Sequence, residues 1–170
     1  MPLPPALGPT YRIVMVCSGN ICRSPIAEVV LRRLADDAGL GDRLEVTSAG
    51  TGTWHAGEPA DVRAVAVLDR NGYDGTAHSA QGFDPAWFAD HDLVLALDRG
   101  HLRELRALAP DQAARDRVRL LRSFDPAAPA DAEVADPYFG DDRDFATVLD
   151  QVEAACRGLL ADLTAVLDGG

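Results

Sequence analysis

Two short runs of unbroken apolar residues constrain this chain more than anything else in it. Ile13-Val14-Met15-Val16 and Leu93-Val94-Leu95-Ala96-Leu97 offer no polar residue to either face of a strand. Strands of that kind need cover on both sides, which is the condition of a parallel sheet sandwiched between helices. Helical patterns follow each run. After the first, Ile26, Val30 and Leu34 share one face, with Val29 and Leu31 beside them, and Gly39 marks the stop. After the second, Leu102, Leu105 and Leu108 repeat at helical spacing.

The rest of the chain fits the same alternation. Residues 44–47 read as a second strand, 61–70 as a helix ended by Asn71-Gly72, 83–88 as a short helix and 118–121 as a fourth strand. Residues 123–142, rich in proline and aspartate, predict a long loop, and Phe145, Val148, Leu149, Val152, Leu159 and Leu163 outline a final helix. Strands alternating with helices predict an α/β class with a parallel sheet. Residues 1–10, with four prolines, read as a flexible leader before a single domain at 11–170.

Composition removes several function classes. The 170 residues, 18.1 kDa, suffice for one domain with its own core. The net charge of −11 repels phosphate backbones, so no nucleic-acid partner is expected. All 16 basic residues are arginine. Without lysine, a Walker-type phosphate loop, a Schiff-base enzyme and a protein kinase each lose a required residue. No apolar run reaches membrane-spanning length and the opening lacks a signal-peptide pattern, so no membrane association and a cytoplasmic location are expected. Three cysteines, an odd number, do not predict a disulfide framework.

The chemistry concentrates where the first strand ends. Cys17 stands at its last position, the loop Ser18-Gly19-Asn20-Ile21-Cys22 follows, and Arg23 precedes a helix that Ser24 is expected to cap, with Pro25 in its first turn. Loop amides and a helix start form an anion seat. Arginine grips two oxygens of a phosphate at once, and Gly19 and Asn20 tolerate the left-handed backbone that turns successive amides inward. A thiol among such donors is expected to ionise easily and to act as a nucleophile beneath the bound oxyanion. On the spacing alone, a buried cysteine before an ordinary helix remains the other reading.

The stretch Val16-Cys17-Ser18-Gly19-Asn20-Ile21-Cys22-Arg23-Ser24-Pro25 resembles the signature loop of the low-molecular-weight protein tyrosine phosphatases nearly residue for residue. The resemblance continues through Ser48-Ala49-Gly50-Thr51, Trp54 and Gly57, Leu95-Ala96-Leu97-Asp98 and Asp136-Pro137-Tyr138, and so spans most of the chain from Tyr11 on. It implies a flavodoxin-like three-layer sandwich with a four-stranded parallel sheet. It also implies a phosphatase that uses no metal or other cofactor and hydrolyses phosphotyrosine through a cysteinyl-phosphate intermediate. Phosphotyrosine proteins are then the partners, phosphate or other oxyanions the loop ligands, and a monomer or weak dimer the expected state.

A general acid near the leaving oxygen speeds expulsion of a phenolate. Three Asp-Pro pairs compete for this role. Asp84 is best explained as a helix cap before Pro85, and Asp125 is followed only by Pro126 and alanines. Asp136 is followed by Tyr138 and Phe139, which can flank a phenyl ring. On the residues alone Asp136 also reads as a solvated turn; the family's Asp-Pro-Tyr motif decides for it. Cys17, Arg23 and Asp136 are therefore the catalytic candidates, and Ser18, Gly19, Asn20, Ile21, Cys22, Ser24, Trp54, Tyr138 and Phe139 the substrate-binding ones. The resemblance further gives Ser24 a role in stabilising the departing Cys17 thiolate, lets Cys22 form a reversible disulfide with Cys17, and makes Asp98 a brace of the loop. His78 matches a family position, but the arginine usual shortly after it is absent. His55, His91 and His101 show no metal-ligand spacing and are expected at the surface.

Two related enzymes are the alternatives. A thiol-coupled arsenate reductase needs further cysteines, and after residue 75 there is only Cys156, placed in the last helix. A phosphoarginine phosphatase of the same family carries threonine where Ile21 stands.

Overall fold

The computed structural model describes residues 2–169. Four strands, β1 (Tyr11–Cys17), β2 (Leu44–Gly50), β3 (Leu93–Ala96) and β4 (Val118–Leu120), form one sheet in the order β2-β1-β3-β4. All three pairings are parallel. The helices are α1 (Arg23–Asp37), α2 (Val62–Arg70), α3 (Arg99–Leu108), the short α4 (Gln112–Asp116) and α5 (Asp142–Asp168). This is the α/β sandwich expected from the alternation of apolar runs and helical patterns.

Each face of the sheet carries its own core, which is why the central strands are apolar throughout. Ile13 and Met15 of β1 and Leu93 and Leu95 of β3 pack on α1, α2 and α5 through Ile26, Leu31, Leu68, Phe145, Val152 and Leu159. Val14, Val16, Val94 and Ala96 face the other way, against Phe88 and Leu105. Fully burying one such side chain is worth about 1.5–3 kcal/mol, so both layers hold the sheet firmly.

Several boundaries differ from the sequence reading. β2 runs on to Gly50, because Ser48 and Ala49 are small enough to sit buried beneath the loops. α5 begins at Asp142, with Asp141 and Asp144 closing a capping box. Pro85–Ala89 forms a 3-10 turn capped by Asp84, whose side chain accepts from the Ala86 amide as foreseen. Residues 2–10 form no helix or strand, yet they are tied down. Leu3 is buried, the Leu7 amide donates to Asp92 Oδ1, Tyr11 donates to the Pro4 carbonyl and Arg119 to that of Pro2.

The strand order positions the site. From β1 the chain moves through α1 to β2 on one side, then returns to add β3 on the other side of β1. The carboxyl ends of β1 and β3 therefore border a crevice, the place where open parallel sheets bind ligands. Cys17 ends β1, and β3 leads through Leu97 into Asp98, the N-cap of α3.

Candidate active site

The loop after β1 folds back over the end of the sheet. Asn20 takes φ 58°, the left-handed turn that brings the following amides round. Its side chain locks the turn. Nδ2 donates to Ser24 Oγ and Ser48 Oγ at 2.8 and 2.9 Å, and Oδ1 accepts from the Gln81 amide at 3.0 Å. The loop also leans on the start of the next segment, where the Thr51 and Gly52 amides donate to the Cys17 and Ser18 carbonyls. Gly50 makes this approach possible, since a Cβ there would stand 2.6 Å from the Ser18 carbonyl oxygen.

Ser24 is not the expected helix cap. α1 starts at Arg23 with Cys22 at the N-cap position, and no side chain caps that end. The Ser24 hydroxyl is turned inward, 2.9 Å from Cys17 Sγ. A cap would have tied up a helix amide. Left uncapped, the helix start adds its donors to the loop.

Arg23 is only 4% exposed and held from two sides. One terminal nitrogen donates to Asp98 Oδ2 at 2.9 Å and to the Val134 carbonyl at 3.1 Å, and the other lies 3.8 Å from Asp136 Oδ2. Burial works to raise the Asp98 carboxyl, but the His101 amide and the charges of His101 and Arg23 hold it below the ordinary carboxylate range. It is therefore a fixed anion that aims the guanidinium.

Around this centre the chain builds a cavity of about 500 Å³, lined by Cys17, Arg23, Trp54, His55, Asp136 and Tyr138 together with Ser18, Gly19, Ile21, Cys22 and Phe139. Trp54 is 70% and Phe139 95% exposed, so the aromatic rim is open to solvent. Tyr138 and Phe139 meet edge to face, their centroids 5.0 Å apart. The segment holding them is steadied by Arg63, whose guanidinium lies 5.6 Å from the Tyr138 ring and donates to the Gly140 carbonyl.

Residues 12–167 match the model of the low molecular weight phosphotyrosine protein phosphatases. The chain belongs to this phosphatase family. A Streptomyces coelicolor low molecular weight protein-tyrosine-phosphatase is 54% identical over 161 residues, covering 94% of this chain and 98% of the relative. The crystal structure of an Entamoeba histolytica protein tyrosine phosphatase with Hepes in its active site superposes with a TM-score of 0.87 at 31% identity, covering 92% of this chain and 98% of that one. The Vibrio vulnificus protein Wzb in complex with benzylphosphonate gives 0.75 at 30% identity, over 88% and 96% of the two chains. The flavodoxin-like sandwich and the phosphatase class expected from the loop motif both hold.

Within this phosphatase the catalytic candidates Cys17, Arg23 and Asp136 meet in one cavity. Of the nine substrate-binding candidates, Asn20 and Ser24 lie outside its lining and fully buried, shaping the loop from behind. Cys22 is buried at the cavity wall, and its desolvation, together with Asp61 and Cys17, pushes its thiol up to about 12. All three cysteines are free thiols, and Cys156 sits in the core.

The histidines correct the sequence reading most. His91 and His101 are buried rather than at the surface, and His55 lines the cavity, hydrogen-bonded to Glu58. His101 Nε2 lies 2.8 Å from Ser18 Oγ. His78 supports the loop without the missing arginine, because its Nε2 donates directly to the Asn20 carbonyl at 2.6 Å. The Asp98 N-cap accounts only for the His101 amide, which donates to Asp98 Oδ1; no pattern in α3 points its ring at Ser18.

Proposed function

We propose that this enzyme hydrolyses phosphotyrosine in proteins, with Cys17 as nucleophile, Arg23 as the phosphate clamp and Asp136 as general acid. The observation that carries this reading is the single cavity lined by all three and walled by aromatic rings. The benzylphosphonate held by Wzb, a phosphonate on a phenyl-bearing carbon, supports an aromatic phosphoester as substrate. Ile21 and the exposed Trp54 and Tyr138 favour the same class, since they offer apolar surface to a ring. Phosphate and related oxyanions are then ligands of the loop.

The reaction runs in two balanced steps. Cys17 Sγ, as thiolate, attacks phosphorus and forms the S–P bond while the bond to the phenol oxygen breaks. The Asp136 proton passes to that oxygen. Arg23 and the loop amides hold the three equatorial oxygens throughout, and this charge stabilisation carries most of the acceleration. A water then attacks phosphorus, gives its proton to the Asp136 carboxylate, and the S–P bond breaks to release phosphate and the thiolate. The Ser24 hydroxyl, 2.9 Å from the sulfur, receives that developing charge.

The test uses p-nitrophenyl phosphate and a phosphotyrosine peptide. Cys17→Ser is expected to abolish turnover of both while the loop still binds phosphate. Hydrolysis by Cys17→Ser at the wild-type rate, or a preference for phosphoarginine over phosphotyrosine peptides, would overturn the reading.

A further inference from the structure

Two polar side chains next to the nucleophile have no part in the steps above. Ser18 follows Cys17 and lines the same cavity. Its hydroxyl touches His101 Nε2 at 2.8 Å, and that imidazole, on α3, is only 3% exposed. On the ring's other side Nδ1 stands 3.2 Å from Asp98 Oδ1, without the alignment of a hydrogen bond. Asp98 Oδ2 in turn holds Arg23. A continuous line of contacts thus joins the cavity wall, through the imidazole, to the carboxylate that aims the guanidinium.

The protonation of His101 decides what Ser18 can do. The charges that face the ring are Asp98 and Glu104 from the start of α3 and within it, Arg23 from α1 and Asp136 from the loop before α5. Asp98, nearest to Nδ1, favours the proton there, so the neutral ring leaves Nε2 as an acceptor. Nε2 then takes the Ser18 O–H, and Ser18 Oγ presents only lone pairs to the cavity. A protonated ring reverses this. Nε2–H donates to Ser18 Oγ, whose own O–H is released to donate to an oxygen of the bound anion. Burial, reinforced by Arg23 and opposed by Asp98, pushes the imidazole below its ordinary value of about 6.5. The neutral ring therefore prevails at neutral pH, and the donor form appears only on acidification below the ordinary histidine range.

We propose that the Ser18 side chain is an oxyanion-binding group of this site and that His101 is the positioning residue that sets whether it accepts or donates. Dianions then bind more tightly once His101 is protonated. The inference rests on the Cys17–Arg23 loop being the oxyanion seat.

Inorganic sulfate is the probe, because it stays a dianion at mildly acidic and neutral pH whereas phosphate does not. Its competitive inhibition of p-nitrophenyl phosphate hydrolysis is measured between about pH 7.5 and 5 for the wild type, Ser18→Ala, His101→Gln and the double variant. The rest of the site is common to all four, so the difference between their slopes isolates Ser18 and His101. Sulfate is expected to tighten on acidification about tenfold more in the wild type than in Ser18→Ala, the worth of one charge-assisted hydrogen bond. His101→Gln and the double variant should match Ser18→Ala. Equal slopes in wild type and Ser18→Ala overturn the inference and leave the seat intact; absence of competitive inhibition at every pH overturns both. Ser18 is only half-buried, so Ser18→Ala carries the test even where His101→Gln folds poorly.

Discussion

Cys17 Sγ and Ser24 Oγ stand 2.9 Å apart, both shut away from solvent. The hydroxyl already accepts from Asn20 Nδ2, so its own proton is left for the sulfur, which is nearer than its other acceptor, the Ala49 carbonyl at 3.4 Å. That donor matters most when the S–P bond breaks and the sulfur regains its charge. Ser24→Ala is expected to lower kcat about 10- to 100-fold with KM little changed, because the anion-binding amides remain. Pre-steady-state kinetics with p-nitrophenyl phosphate should show a burst followed by slow turnover. An unchanged kcat would remove Ser24 from the chemistry.

Asp98 links catalysis to stability. Its carboxyl is held below the ordinary value despite partial burial, by the His101 amide and the charges of His101 and Arg23. A folded-state pKa below the unfolded one means that the stabilisation is complete above the ordinary aspartate value of about 4 and is lost as pH falls through the depressed folded-state value. Asp98→Asn should therefore unfold more easily than the wild type at pH 7, by about 1–3 kcal/mol. Urea midpoints of the two should converge as the buffer is taken below about pH 4. A constant gap down to that pH would show that the lost stability is not electrostatic.

Gly50 is the position where β2 must pass closest to the catalytic loop. An added Cβ would meet the Ser18 and Gly52 carbonyl oxygens at 2.6 and 2.9 Å and the Asn20 amide nitrogen at 3.2 Å. All three are backbone atoms, so the loop itself must move. Gly50→Ala is expected to lose about 1–3 kcal/mol of stability and at least about tenfold in kcat/KM. Thermal unfolding together with p-nitrophenyl phosphate kinetics checks both; wild-type kinetics would mean that the loop has slack.

The sheet and the catalytic loop were legible because each follows from local pattern. The apolar runs of β1 and β3 announce strands buried on both faces, and Cys17 and Arg23 flank a turn that Asn20 closes by a conformation its residue type tolerates. What brings Asp98 to Arg23 is not local. It depends on β3 lying beside β1 in the register Val16 to Ala96, a pairing no spacing in the chain records. His101 was missed for the same reason, since it sits in α3 with nothing in the helical repeat to say that its ring turns toward Ser18. Ser24 was misread as a cap because its type and place suit one, whereas the nearer sulfur claims its hydroxyl. The contacts of residues 2–10 were equally hidden, because the Asp92 carboxylate that accepts the Leu7 amide arrives from far along the chain.

Arg63 ties together the two halves of the site. Asp61, its partner, donates its amide to the Ile21 carbonyl of the catalytic loop and accepts from the Arg63 Nε at 3.0 Å. The guanidinium then lies over the Phe145 ring at 4.6 Å, near the Tyr138 ring, and donates to the Gly140 carbonyl. One residue thus fixes the segment that carries Asp136 against the loop that carries Cys17. Freeing that segment should hurt most where the leaving group most needs a proton. Arg63→Ala is expected to lower kcat/KM for phenyl phosphate about tenfold while hardly changing that for p-nitrophenyl phosphate, whose phenolate leaves readily. A plot of log kcat/KM against leaving-group pKa should therefore be steeper in the variant. Arg63→Lys should restore little, since an ammonium lacks the plane that stacks on Phe145 and Tyr138. Parallel plots for wild type and Arg63→Ala would separate Arg63 from the proton-transfer step and leave it only a packing role.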